Sequence, residues 1–451
     1  MSKRIYHLSL AITATALALT LGDGEKAAAG EVTTKTAAKE AAAARSVSNR
    51  LAAIAAASEP ITLAALDQQY VTPPAGENAA PLYELAFAAF KNEDTQSATF
   101  VADNITALPL LVKAAERNAC RYPVVLTDGY ATLLPHLIKI KRAATLLQKV
   151  AVNQTAKKRS DAATTTLLAG LSLAHSLDNE PLMISKLVEL ASIKFILDGM
   201  AQSFSLQPFS DAQLQSLQAA LKTSESGTSL SRALIGDRAL MIYTFQMSDA
   251  EMAKLQNFMS GSSEAVDLVV YRKTEKFQPD FAFTLDYMSN LVALAAMPCP
   301  RSLDNLPKIV AQLETASAQG FVLSKILLPA FGASFARAAE TTAILSPAFG
   351  TSFGKSAEIT ARIRSAQVAL AVERYRLQHA NALPGALTDL VPEFLNAIPA
   401  DPFDGQPLRF KPLPAKGYVI YSVGKDRKDD DGIEKAPDGK TQLDLAFTVK
   451  R

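Results

Sequence analysis

From Asn78 to about residue 318, apolar residues return at three- and four-residue spacing, and alternating patterns are nearly absent. That period lays one apolar stripe along each of a series of helices and leaves little of the segment for sheet. The stripe is plain in PLMISKLVELASIKFILDGM, where Leu187, Leu190, Ala191 and Ile193 follow it. LPHLIKIKRAATLLQKVAV, SDAQLQSLQAALK and LSRALIGDRALMIYTF repeat it. Asp178 and Asn179 mark a turn before Pro181, and Ser210, Asp211 and Gln213 have the spacing of a helix start. The expected fold class is mainly α, a helical array (α-solenoid or irregular bundle) over residues 78–318.

Length and composition fit such a body. The chain has 451 residues, 49% hydrophobic and 20% charged, with no Trp, so a packed core is expected. A net charge of +2 gives no electrostatic footprint for nucleic acid. Residues 78–90, NAAPLYELAFAAF, have a loosely tetratricopeptide-like pattern, but no period of about 34 residues recurs.

The amino-terminal segment has the order of an export signal. Lys3 and Arg4 precede the uncharged run Leu8 to Gly22, then come Asp23, Glu25 and Lys26, with small residues at Ala27, Ala28 and Ala29. The run falls short of the roughly 20 residues that span a bilayer. Residues 1–29 are expected as a cleaved signal, or as an anchor in the membrane if uncleaved. Residues 30–77 then read as an Ala-rich tether.

Residues 319–380 are expected as a long helix carrying a tandem duplication. Residues 326–343, ILLPAFGASFARAAETTA, recur at 344–361 as ILSPAFGTSFGKSAEITA, matching at 12 of 18 positions. Eighteen residues are five helical turns, so a duplication of that length adds roughly 27 Å without rotating the apolar face. From Ser356, SAEITARIRSAQVALAVERYRLQ contains no Gly or Pro, and Ala361, Val368, Val372 and Tyr375 share one face. The helix ends near NALP, and a short helix is expected over Leu387 to Phe394.

The pattern then changes. DPFDGQP, with Asp401, Pro402, Phe403 and Gly405, is a run of turn formers. LRFK (408–411), YVIYS (418–422) and LAFTV (445–449) alternate as strands, and SVGKDRKDDDG is an acidic loop. A small three-stranded antiparallel α+β head is expected over residues 381–451. The order ERYRLQHANALP, PADPFDGQPL, GYVIYSVGKD, DDDG resembles the major pseudopilins of type II secretion systems. The likeness covers about 105 residues at the carboxy-terminal end, and Pro347 to Tyr375 nearly keeps that family's spacing. The whole chain also resembles exported proteins of planctomycete and verrucomicrobial bacteria, a likeness that implies no activity.

The pseudopilin resemblance implies Ca2+ in the loop after S-x-G-x-D. Asp426 takes the first acidic position, Asp430 and Asp431 the acidic pair, and the Val423 carbonyl is in reach; Asp444 is the alternative to the pair. Oxygen ligands on a loop suit this hard cation. The opposing expectation is a solvated acidic loop neutralised by Lys425, Arg427 and Lys428. Phe403, Tyr418 and Tyr421 are expected as the core of the head. Cys120 and Cys299 are either one bridge in an oxidising compartment or two separate thiols.

The sequence has no H-E-x-x-H, phosphate-binding loop or dinucleotide fingerprint. His7, His136, His175 and His379 are scattered, so no zinc site is expected, and His136 and His175 are expected as packed helix residues. The sequence points to an exported, non-enzymatic structural or interaction protein of the periplasm or outer surface. Its partners are expected among envelope proteins, secretion-system components included. The alternative is a scaffold that binds proteins or peptides through residues 78–318, with the head as a stabilising cap.

Overall fold

Helices built on the three- and four-residue apolar spacing make up most of the computed structural model, which describes residues 41–74, 76–225, 229–259, 267–323, 349–439 and 441–451. They are α1 (residues 41–56), α2 (Leu63–Gln69), α3 (Ala80–Ala88), α4 (Phe100–Asn104) and α5 (Leu108–Ala114). Then come α6 (His136–Ala156), α7 (Ser160–His175), α8 (Met183–Leu206), α9 (Asp211–Glu225) and α10 (Ser229–Gln246). α11 (Asp249–Met259), α12 (Leu268–Tyr271), α13 (Phe277–Ala295), α14 (Arg301–Val310), α15 (Gln312–Ala318) and α16 (Phe349–Gln378) complete the set. The expected signal, the first duplicated copy and the start of the second lie outside the described residues. Among the described residues no helix is long and apolar enough to cross a membrane.

Helix starts follow local chemistry. At α9 the Ser210 N–H donates to Gln213 Oε1 at 2.8 Å and the Gln213 N–H to Ser210 Oγ at 3.4 Å, a reciprocal cap at the expected place. Between the two expected architectures, contacts decide for the irregular bundle. α6 packs on both α7 and α8, and α16 packs on α8 and α9 far back in the chain. In a solenoid each unit would meet only its neighbours.

The expected tether is folded from residue 41. Val47 and Ile54 of α1 and Leu63, Leu66 and Tyr70 at α2 are buried in the same core as the body. Arg50 forks onto Asp286 of α13, with both oxygens at 2.7 Å, and Glu59 pairs with the buried Arg238. Ala-rich sequence carries only a thin apolar stripe, yet fully burying each large side chain on it contributes about 1.5–3 kcal/mol. That is enough to dock a segment whose composition alone reads as a linker.

α16 is the axis around which body and head meet. Its Ala361, Ile363, Ala366 and Val368 to Val372 are all buried, against α8, α9 and the sheet. Its arginines are paired across the same contacts: Arg364 with Glu225 at 2.6 Å, Arg374 with Asp211 at 2.7 Å, and Arg362 with Glu434 at 3.4 Å. A 3-10 turn, Leu387–Leu390, stands where a short helix was expected.

The sheet is antiparallel in the order β1 (Arg409–Pro412), β2 (Tyr418–Ser422), β3 (Leu445–Val449), close to the expected strands. Phe410 pairs with Ile420, and Ile420 with Phe447. One hydrophobic core runs from Val47 to Val449, so the head is built into the body. Phe403, Tyr418 and Tyr421 do not share one core. Tyr418 faces the main core, Phe403 joins Ala357, Ala361, Val423 and Leu445, and Tyr421 packs with Val419 and Ala446. Side chains alternate along a strand, so residues three apart on β2 point to opposite faces.

Candidate functional site

Asp401 sits at the hub of the head. Its carboxylate is fully buried and accepts four hydrogen bonds: from Phe403 N–H (2.9 Å), Ser422 Oγ–H (2.8 Å), Val423 N–H (2.9 Å) and Arg409 Nη1–H (2.8 Å). Arg409 also pairs with Asp404; burial would raise that carboxyl, but the guanidinium outweighs it and holds it low. Pro402 is buried beside Asp401, and Gly405 turns the chain at φ 76°. Asp401, with every oxygen engaged, is a structural latch.

The acidic loop leaves this latch at Gly424. There φ is 68°, and a Cβ would lie 2.7 Å from the Leu443 carbonyl, so only glycine fits. The loop folds back along β3: Leu443 N–H donates to the Glu434 carbonyl at 3.0 Å and Asp444 N–H to the Ile433 carbonyl at 3.0 Å. This brings Asp444 under Asp430. Asp444 is fully buried, and its Oδ2 accepts from Gly432 N–H (2.7 Å) and Asp430 N–H (3.2 Å). Asp444 Oδ1 and Asp430 Oδ2 are buried without a hydrogen-bond partner. Burial first, then the charges of Asp429 and Asp430, push the Asp444 carboxyl up to about 6.

Asp426 and Asp431 separate from this pair. Asp426 is exposed, and its Oδ1 accepts from the Lys428 N–H at 3.2 Å. Asp431 pairs with Lys411. Val423 is buried, with its N–H committed to Asp401. Basic residues outside the expected set also meet the loop. Lys411 and Arg409 face it from β1, and Arg427 reaches Asp304 of α14 at 2.6 Å. Two orphaned carboxylate oxygens in an all-oxygen setting fit a hard cation; the full expected set of ligands does not converge.

In the body, His136 is buried as expected. Its Nε2 lies 2.9 Å from Glu180 Oε2, and Tyr122 stacks on its ring at 4.3 Å. Glu180 also accepts from Ser185 and, at 3.3 Å, from the Tyr70 hydroxyl. Burial would raise the Glu180 carboxyl, but His136, Ser185 and Tyr70 together hold it low. This network ties α2, α6 and α8 together and has no free acceptor to offer a substrate. A cavity of about 600 Å³ lies beside it, lined by Leu66, Tyr70, Pro181, Arg232 and Ile235 among others. Cys120 and Cys299 are two free thiols; burial pushes the first up to about 12, and the second lies 3.3 Å from Ser302 Oγ.

His175 is less ordinary than expected. At the end of α7 its Nδ1 lies 3.2 Å from Asp178 Oδ1, and its Nε2 lies 2.7 Å from Ser224 Oγ on α9. Glu189 of α8 completes a group in which one ligand atom from each of His175, Asp178 and Glu189 lies within 4.8 Å of the others. The i, i+3 spacing of His175 and Asp178 was visible in the sequence. The approach of Glu189 was not, since it depends on how α7 packs on α8.

No family model, curated protein or solved structure matches this chain.

Proposed function

We propose that the protein is an exported, non-enzymatic interaction scaffold of the bacterial envelope, with a pseudopilin-like end fixed in a helical body and a loop ordered by Ca2+. The observation that carries this is the pair of buried, partnerless oxygens, Asp430 Oδ2 and Asp444 Oδ1. Two carboxylates brought together without a cation between them repel, and a divalent ion removes that repulsion. Asp430 and Asp444 would hold the ion, and Ca2+ would supply the positive charge that closes the loop over β3. Enclosure of α16 supports a scaffold over a pilus subunit, because the middle of that helix is already packed against α8, α9 and the sheet. The acidic loop is among the exposed parts of the head and is the contact offered to envelope proteins, secretion-system components included.

The test is a Ca2+ titration of the full chain after chelation, read by calorimetry and by melting temperature. Saturation to a hundred times Kd adds about 2.7 kcal/mol of stability. Wild type gains several degrees, whereas Asp444→Asn and Asp430→Asn gain none. Absence of a shift in wild type at millimolar Ca2+ sinks the metal part of the reading. Recovery of the native protein from the cytoplasm on fractionation sinks the export part.

A second reading has its own support. One core from Val47 to Val449 suits a scaffold that binds through residues 78–318, with the head as its cap. Partner capture that survives Asp430→Asn and Asp444→Asn favours the body as the binding surface.

A further inference from the structure

We propose that His175, Asp178 and Glu189 form a binding site for one first-row divalent transition-metal ion of the Zn2+ class, clipping the end of α7 to α8. The inference goes beyond the Ca2+ reading and rests on different residues in a different part of the fold.

The first observation is convergence. One ligand atom from each side chain lies within 4.8 Å of the others. Ligands around a tetrahedral Zn2+ at about 2.1 Å stand roughly 3.4 Å apart, so the three side chains need only a small inward movement to close on an ion. An imidazole with two carboxylates suits Zn2+, Mn2+ or Fe2+, whereas Ca2+ takes oxygen alone.

The second observation is independent of the first. Glu189 is only 2% exposed, and while its Oε1 takes the Lys186 ammonium at 2.5 Å, its Oε2 is buried with no hydrogen-bond partner. An ionised oxygen left over in the interior, beside an imidazole and a second carboxylate, is an acceptor waiting for a cation. Burial, the largest influence, lifts the Glu189 carboxyl to about 6.

The surroundings suit a ligating imidazole. Ser224 Oγ, 2.7 Å from Nε2, fixes the ring from outside and leaves Nδ1, on the Asp178 side, to bind the ion. A metal-bound histidine ordinarily has such a partner on its other nitrogen. The Asp178 side chain is 43% exposed and opens the site to solvent, while Glu189 forms its floor. Without metal, two ion pairs hold the cluster, His175 with Asp178 and Lys186 with Glu189. Burial would lower the His175 pKa, but the hydrogen bond and charge of Asp178 outweigh it and leave it raised. The ion replaces the imidazole proton, and Lys186 stays on Glu189 Oε1.

The experiment titrates Zn2+ into the full, chelator-treated chain by calorimetry near neutral pH, with Co2+ as a spectroscopic probe. One equivalent binds, protons are released, and affinity falls as the solution is acidified. His175→Gln and Glu189→Gln each weaken binding about 100-fold or more, Asp178→Asn about tenfold or more, and Asp444→Asn leaves it unchanged. Because Glu189 is buried, the partly exposed His175→Gln, checked by circular dichroism, guards against a folding artefact. The Co2+ visible bands vanish in His175→Gln. No saturable binding at about 100 μM Zn2+ overturns the site, as does equal binding by wild type and His175→Gln. Failure here leaves the Ca2+ reading standing, because Asp430 and Asp444 take no part.

Discussion

Asp401 Oδ1 accepts a 2.8 Å hydrogen bond from Ser422 Oγ, joining the DPFDG turn to the end of β2 across 21 residues of chain. With Phe403 N–H, Val423 N–H and Arg409 the carboxylate has four donors in a buried site. Asp401→Ala leaves all four without their acceptor, including a guanidinium. Breaking a buried charged pair by removing one partner costs about 3–5 kcal/mol. We expect a loss of that size in urea unfolding, with Ser422→Ala costing about 1 kcal/mol. A neutral Asp401→Ala would contradict the latch.

Legibility in the sequence followed the range of the physics. Strand limits at Arg409–Pro412, Tyr418–Ser422 and Leu445–Val449 were readable because period-two alternation and Pro/Gly turns are local signals. The cap at Ser210 and Gln213 was readable for the same reason. What stayed hidden was set by packing. The partners of the α16 arginines are an example, since only the fold brings Glu225 and Asp211 to Arg364 and Arg374. Residues 41–77 looked like a tether because an Ala-rich helix declares its partner weakly. In the loop, all four aspartates Asp426, Asp430, Asp431 and Asp444 were legible as candidates, but only the folded chain shows that the oxygens left partnerless belong to Asp430 and to Asp444 on the returning chain. The approach of Glu189 to His175 likewise needed the α7–α8 contact.

The enclosure of α16 has a direct consequence. Ala366 is fully buried in the main core, and α16 packs on α8, α9 and the sheet. Ala366→Leu inserts three carbons where no space is offered, and overpacking of this kind costs about 1–3 kcal/mol. On a free stalk the same change would be neutral or slightly favourable, since Leu is a good helix former. Chemical denaturation of the full chain separates the two.

One of the ion pairs that dock the amino-terminal segment has a buried partner. Arg238 is 2% exposed, donates to Glu59, and has its Nε without a partner. Glu59→Gln removes the charge that compensates it. Because Glu59 is partly exposed, the cost is discounted to about 1–3 kcal/mol from the value for a fully buried pair. Arg238→Met with Glu59→Gln removes both charges, and the double variant should be more stable than the sum of the singles predicts. Strict additivity in this cycle would show that the pair is not coupled.

Asp237 on α10 gives the chain a pH dependence of definite sign. It is buried, it accepts from the Met183 N–H at 3.3 Å, and burial lifts its carboxyl to about 8. In the unfolded chain the same group titrates near the usual value of about 4. Between those limits the folded chain holds one proton more than the unfolded chain. Its contribution to stability is therefore complete below about pH 4, falls as pH rises, and is exhausted above about 8, with a slope of roughly 1.4 kcal/mol per pH unit. Asp237→Asn keeps an acceptor for Met183 and cannot ionise. We expect the variant to lose this slope and to match or exceed wild type at alkaline pH, measured by urea unfolding at several pH values between about 5 and 9. Parallel profiles for the two proteins would mean that Asp237 is ionised throughout and that the interior around α10 supplies a compensating charge.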